Sequence, residues 1–246
     1  MRFLNTGKRF FRPPVGKNNE NVREQWLQTV LQKIPPGCRI LDAGAGTQRY
    51  KTFCRHLRYV AQDFGEYNGE GDAAGLQIEG FDYGRLDIIS DITAIPEPDA
   101  SYGAVMCIEV LEHLPEPQLA IKEFTRLLEP GGWLILTAPF CSLTHFAPYH
   151  FSSGFNKYWY KHHLERNGFE ILELKENGNY FEFLAQEIGR INSLAKRYTG
   201  SRVGLLRRLA LWTTLRMLDK FSRRDAGSSE LLCYGYHVLA KRLPVL

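Results

Sequence analysis

The chain has 246 residues, 44% apolar and 24% charged, with a net charge of +4, enough for one large α/β domain plus an appendage and for a core needing neither disulfide nor structural metal. Its five cysteines (Cys38, Cys54, Cys107, Cys141 and Cys233) lack CxxC spacing, which excludes a disulfide scaffold or zinc ribbon and predicts reduced thiols in a cytoplasmic protein. The basic, aromatic start has no continuous apolar core and no apolar run reaches spanning length, so neither a secretory leader nor a membrane-spanning helix is expected.

Residues 1–18 read as an irregular basic arm, followed by a helix over Asn21–Gln32 with Trp26, Leu27, Val30 and Leu31 inward, stopped by Pro35-Pro36-Gly37. Arg39–Ala43 reads as a short buried strand running into Gly44-Ala45-Gly46, and Tyr59–Gln62 as a second strand ending at Asp63. Residues 65–84, rich in glycine and acids, read as an irregular loop. A third strand is expected over Leu86–Ser90 and a fourth over Ala104–Ile108. The next helix spans Pro117–Leu128, with Leu119, Ile121, Phe124, Leu127 and Leu128 inward, and Pro130-Gly131-Gly132 separates it from a fifth strand, Trp133–Ala138. Apolar strands alternating with helices argue for a parallel sheet covered on both faces.

The C-terminal third departs from that rhythm. A helix over Asn156–Asn167 and a strand over Phe169–Lys175 are followed by a helical stretch from Phe181 to Arg223, broken near Thr199-Gly200, and by a final strand over Leu231–Lys241. Residues 190–224 carry ten Arg and Lys against Asp219 alone, leaving the rest of the chain net acidic. The apolar residues of the second helical half, among them Leu205, Leu206, Leu209, Trp212 and Leu215, spread around the whole helical wheel. Such a helix is a lid, a homodimer contact or a membrane-surface contact, and 190–224 is the segment expected to make it.

Motifs that carry chemistry begin at Ile40-Leu41-Asp42-Ala43-Gly44-Ala45-Gly46-Thr47, a buried strand opening into Gly-x-Gly at the edge where open α/β sheets bind ligands. Arg49 stands where a dinucleotide fingerprint needs its third glycine, which disfavours pyrophosphate. Asp63, about twenty residues on, has the spacing of a carboxylate that accepts ribose hydroxyls.

Taken with Asp91-Ile92-Thr93-Ala94-Ile95-Pro96, with Tyr102–Leu114 and with Leu127–Leu136, in this order and spacing, the Ile40–Thr47 segment resembles motif I of class I S-adenosylmethionine (SAM)-dependent methyltransferases, in their small-molecule and glycan biosynthetic branch. The resemblance implies a doubly wound, Rossmann-like α/β fold: a seven-stranded sheet ordered 3-2-1-4-5-7-6, strand seven antiparallel, with a helical insertion near the C-terminus. It implies an arm and helix over 1–36, a SAM-binding core over 37–180, the basic insertion over 181–224 and a last core strand within 225–246. It also implies cofactor contacts: Gly44 and Gly46 under the methionine, Asp42 at its amino group, Asp63 at the ribose, Asp91 and Ile92 at the adenine, and Ile108 and Glu109 along the methionyl side.

Methyl transfer to oxygen needs a base within hydrogen-bond reach, and the candidates are His150, His113 and Glu109. His145, Tyr149, His150 and, on the following helix, Tyr158 are expected to line the acceptor pocket. Glu109, Glu112 and His113 form Glu-x-x-Glu-His, which resembles a metal site of small-RNA 2′-O-methyltransferases and a segment of ubiquinone-pathway O-methyltransferases. The reading adopted assigns no metal ligand and lets His113 pack or cap a helix. The partner expected is a small-molecule or glycan acceptor; nucleic acid is not, since no RNA-binding module is recognisable. The alternatives are an RNA- or metal-dependent 2′-O-methyltransferase-like enzyme, a nicotinamide-dependent dehydrogenase and a non-catalytic partner subunit of the same fold. The protein is expected in the cytoplasm, with a peripheral membrane location as the variant.

Overall fold

The computed structural model describes residues 14–78 and 80–244, so most of the expected N-terminal arm lies outside the described residues. Strand β1 (Arg39–Ala43) is the centre of the sheet, paired in parallel with β2 (Arg58–Asp63) on one side and β4 (Tyr102–Ile108) on the other. Its Ile40, Leu41 and Ala43 are wholly buried, as a strand covered on both faces requires. β3 (Ile88–Ile89) borders β2, and β5 (Leu128–Pro139) borders β4, both in parallel. β7 (Gly235–Arg242) runs antiparallel to β5, with β6 (Phe169–Asn177) beyond it. The order β3-β2-β1-β4-β5-β7-β6 is the expected one.

Helix α1 (Asn19–Leu31) buries Trp26, Leu27, Val30 and Leu31 against Ile40, Ala104, Met106, Ile135 and Leu239. The Trp26 indole donates to Glu173 Oε1 at 2.8 Å and stacks on His237 at 4.7 Å between centroids. Helix α2 (Pro117–Leu127) buries Pro117, Ala120, Ile121, Phe124 and Leu127, a stripe at i, i+3, i+4, i+7 and i+10. Leu119, expected inward, is 39% exposed, because it sits about 200° around the helix from Pro117. Asn156 caps α3 (Lys157–Arg166), its side chain accepting the Tyr158 and Trp159 N–H groups, both at 3.1 Å.

Three boundaries differ from expectation for local reasons. β3 is only two residues long because the Asp87 carboxylate, 2.9 Å from the Ala61 N–H, takes a donor that a longer strand would pair by its backbone. Pro130-Gly131-Gly132 lies inside β5 as a bulge: Tyr102 pairs with Leu128 and Ala104 with Trp133, and Gly131 takes φ +78°. β7 begins at Gly235, four residues late. A Cβ there would fall 2.4 Å from the Ala138 carbonyl oxygen, so this end of the β5–β7 pairing closes on a glycine.

The chain forms two compact units. Arg23–Lys175 with Gly235–Leu246 carries the sheet, and Met1–Val22 with Glu176–Tyr234 forms the second, of which residues 14–22 and 176–234 are described. In the second unit α4 (Tyr180–Thr199) is capped by Asn179, which accepts the Glu182 N–H at 3.1 Å, and is followed by Gly200 at φ +63°. α5 (Leu205–Ser222) packs Leu215 and Leu218 against Ala185, Val15 and Phe181. The first turns of α5 lie in solvent, with Leu205 and Leu206 86% and 81% exposed. No described helix is long and apolar enough to cross a membrane, and no disulfide joins the five cysteines.

Candidate active site

The carboxyl ends of β1, β2 and β4 open into a cavity of about 600 Å³ within the sheet-bearing unit. Its floor is the Gly44-Ala45-Gly46 turn. Gly44 (φ +75°) and Ala45 donate to the Gln62 carbonyl at 2.9 and 2.8 Å. A Cβ on Gly44 would meet Val110 Cγ2 at 2.6 Å, so its backbone angle and Val110 both call for glycine here. Asp63 closes the floor, its carboxylate accepting the Gly46 N–H at 2.8 Å and the Gly65 N–H at 3.2 Å. Burial pushes its pKa up and those N–H groups hold it back. Each of its oxygens retains a lone pair for a further donor.

Asp91 and Ile92 line one side, with Asp91 Oδ1 accepting from the Thr93 N–H and hydroxyl, both at 2.8 Å. Glu109 lines another in a left-handed backbone (φ +57°). Its carboxylate is engaged by Arg23 at 2.8 Å and by the Thr137 hydroxyl at 2.8 Å. Asp42, expected at the methionine amino group, is not among the lining residues. It is buried with the Tyr59 hydroxyl donating to it at 2.5 Å, and burial raises its pKa to about 7. Ile108 is likewise buried beside the cavity rather than in its wall.

The side expected to take the acceptor is built by two loops that clasp each other. Leu76 and His145 form a bridge in which the Leu76 N–H donates to the Thr144 carbonyl at 3.0 Å and the Phe146 N–H to the Leu76 carbonyl at 3.0 Å. The Phe151 N–H returns to the Glu112 carbonyl at 2.9 Å, pinning the second loop to the end of β4. The loop after β2 thereby supplies aromatic wall that the sequence reading left open: Phe64, Tyr67, Phe81 and Tyr83, joined by Phe146. Its only early signal was the aromatic density of 64–83 among glycines.

Of the residues expected to line the acceptor pocket, Tyr149 lines the cavity, as does the candidate base His113. His145 and His150 stand behind His113, with ring centroids 4.6 and 6.0 Å from it, and His150 Nε2 lies 3.1 Å from the Ser142 hydroxyl. Tyr158 is 65% exposed on α3 and is not among the residues lining this cavity. Burial, with His145 beside it, lowers the pKa of His113 to about 3, and burial lowers that of His150 as well, so both rings are neutral near pH 7. Glu112, in the short 3-10 turn Leu111–His113, is buried, and burial together with Glu109 pushes its pKa far up.

A methyltransferase domain family matches residues 16–174. The chain belongs to the methyltransferase domain family. With the sheet order above, this is the class I SAM-dependent methyltransferase type that the four motifs implied. Among curated relatives, ubiquinone biosynthesis O-methyltransferases match from Leptothrix cholodnii (26% identity over 121 residues, 47% of this chain and 50% of that one) and Xanthomonas axonopodis pv. citri (32% over 123 residues, 47% and 48%). The matched region spans about half the length of these relatives. Among solved structures, phosphoethanolamine N-methyltransferase 2 of Haemonchus contortus in complex with S-adenosyl-L-methionine shares the fold at TM-score 0.52 and 14% identity, over 91% of this chain and 53% of that one. The [4+2]-cyclase SpnF does so at TM-score 0.55 and 18% identity, over 92% and 82%. At such identities the likeness is one of fold alone, and a cyclase among the neighbours underlines that a fold does not specify a reaction.

Proposed function

We propose that this protein is a SAM-dependent methyltransferase acting on an oxygen of a small molecule or glycan intermediate. The observation that carries the reading is the cavity floor: an acidic group at the end of β2 and a glycine turn at the end of β1, under walls of aromatic and aliphatic side chains. That chemistry fits an adenosyl ligand, with hydroxyls for Asp63 and a flat ring for Phe64, Ile89 and Ile92. Bound SAM supplies an electrophilic methyl group on a sulfonium. Gly46 and Asp63 hold the ribose end, Asp91 and Ile92 flank the adenine, and the aromatic clasp excludes water. Positioning is the main contribution such a site makes to an in-line displacement.

The proton of an acceptor hydroxyl leaves toward the histidines beside the cavity, of which only His113 reaches its wall. Oxygen is favoured over nitrogen because that wall joins a neutral imidazole to the carbonyl-anchored loop 140–151, and because the matched curated relatives include O-methyltransferases. The test is transfer of radiolabelled methyl from SAM to a panel of phenolic, polyol and amine acceptors. Label in an ether product supports the reading; label confined to amines overturns the oxygen assignment. His150→Ala is a separate check, since turnover left intact by it removes His150 from the proton path.

We infer in addition that the exposed start of α5 docks on an anionic membrane surface. Leu205, Leu206 and Leu209 are exposed beside Arg202, Arg207 and Arg208, an apolar tip ringed by cations. Co-sedimentation with vesicles containing anionic lipid, absent with zwitterionic vesicles, supports this. A salt-independent dimer without vesicle binding supports a contact between copies instead.

A further inference from the structure

Three atoms of metal-ligating type, one each from Glu112, His113 and His145, converge beside the cavity. His113 Nδ1 lies 2.5 Å from the Tyr149 carbonyl oxygen and His145 Nδ1 lies 2.8 Å from the Leu143 carbonyl oxygen. A carbonyl can only accept, so both Nδ1 atoms carry a proton, which leaves Nε2 as the nitrogen of each ring open to a ligand. Those Nε2 atoms lie 3.8 and 3.9 Å from the same oxygen, Glu112 Oε1, too far for a hydrogen bond. The other Glu112 oxygen, Oε2, is buried with no hydrogen-bond partner, a costly arrangement for a carboxyl group. One ligand atom from each of Glu112, His113 and His145 falls within 4.8 Å of the others.

From this convergence we propose that Glu112, His113 and His145 bind a divalent transition ion, Zn²⁺ or Mn²⁺, at the edge of the cavity. Bonds of about 2.0–2.2 Å to nitrogen and oxygen place tetrahedral ligands about 3.4 Å apart, so each Nε2 closes on Glu112 Oε1 by roughly half an ångström around the ion. Two imidazoles and one carboxylate suit a borderline ion better than Mg²⁺ or Ca²⁺, which favour all-oxygen shells. The backbone carbonyls on both Nδ1 atoms are the outer partners that fix a ligating histidine's ring. Glu109 is not a ligand, since Arg23 and Thr137 hold its carboxylate, so the set differs from the Glu-x-x-Glu-His string and depends on His145 being brought in by the Leu76 bridge.

The inference rests on the methyltransferase reading for its purpose. Three protein ligands would leave open positions, where an acceptor hydroxyl would be acidified; with the ion bound, His113 Nε2 is a ligand, so the proton would pass to water instead of to His113. The experiment uses the full chain stripped with chelator and dialysed against Zn²⁺, Mn²⁺ or Mg²⁺. Metal content is read by mass spectrometry, thermal stability by scanning calorimetry and SAM affinity by titration of the stripped protein. The expected result is about one Zn²⁺ or Mn²⁺ per chain, no retained Mg²⁺, and ion affinity at least about tenfold weaker in Glu112→Gln and in His145→Ala. His145 sits on a partly exposed loop, so that variant keeps the test open should Glu112→Gln fold poorly. Substoichiometric binding, or both folded variants retaining the ion as the parent does, overturns the metal site. Because SAM is titrated without metal, loss of SAM binding counts against the methyltransferase reading and failure to retain the ion counts against this inference alone.

Discussion

Replacing Asp42 by Asn separates two roles that a carboxylate at the end of β1 could have. Asp42 is buried against Tyr59, and burial raises its pKa from 3.8 to about 7, with the nearby Asp63 charge adding to the rise and the Tyr59 hydroxyl opposing it. A carboxyl group raised on folding contributes stability that is fully present below its unfolded pKa and is lost as pH rises through the folded value. At about 1.36 kcal/mol per pH unit, the interval from 3.8 to about 7 is worth an upper figure of about 4 kcal/mol. Asn carries no such penalty and still accepts the Tyr59 hydroxyl. Asp42→Asn is therefore expected to match the parent near pH 3.5, to gain on it steadily between pH 4 and 7, and to hold a constant advantage above pH 8. Urea unfolding across that range measures the difference directly. SAM titration of the same variant should change little, because the carboxylate faces Tyr59 and not the cavity. A stability difference independent of pH, or a collapse of SAM affinity, would refute the burial argument and restore the cofactor contact that motif I implies.

Gly44→Ala combines a left-handed backbone with a Cβ 2.6 Å from Val110, so a loss of about 2 kcal/mol or more is expected in thermal unfolding; Val110→Ala should restore only the steric part. Arg23→Ala leaves the Glu109 carboxylate with Thr137 alone in a partly buried site, costing about 2 kcal/mol by denaturant unfolding, and Glu109→Gln in the same background should recover part of it. Replacing Leu205 and Leu206 by Ser should weaken vesicle binding about tenfold or more while leaving the melting temperature within a degree, because both side chains stand in solvent.

The sheet was legible because its inner strands are near-continuous apolar runs, and a strand covered on both faces has to be. Strand order came from the motif resemblance rather than from periodicity, which carries no information about neighbours. Three boundary errors share one cause, a contact distant in sequence: Asp87 capping Ala61, the bulge that Tyr102–Leu128 pairing forces on Gly131, and the close approach of Gly235 to Ala138. The cofactor floor was legible as spacing, Gly46 to Asp63, although spacing could not tell that Asp42 turns toward Tyr59. The acceptor side was legible only as residue types. That His113 and not His150 reaches the cavity depends on the Leu76 bridge and on the return of Phe151 to Glu112, long-range hydrogen bonds with no local signature. The exposed leucines of α5 were seen as apolar positions, but their placement in solvent depends on Leu215 and Leu218 taking the packed side against α4.

The central claim, an adenosyl-sulfonium pocket floored by Asp63, is tested most directly by calorimetric titration of the purified chain with SAM, its demethylated product and NADH, beside Asp63→Asn. The account predicts one site for SAM and for the product, none for NADH, and an affinity about 10- to 100-fold weaker in the variant through loss of charge-assisted hydrogen bonds. Binding of NADH in preference to SAM, or SAM binding untouched by Asp63→Asn, contradicts it.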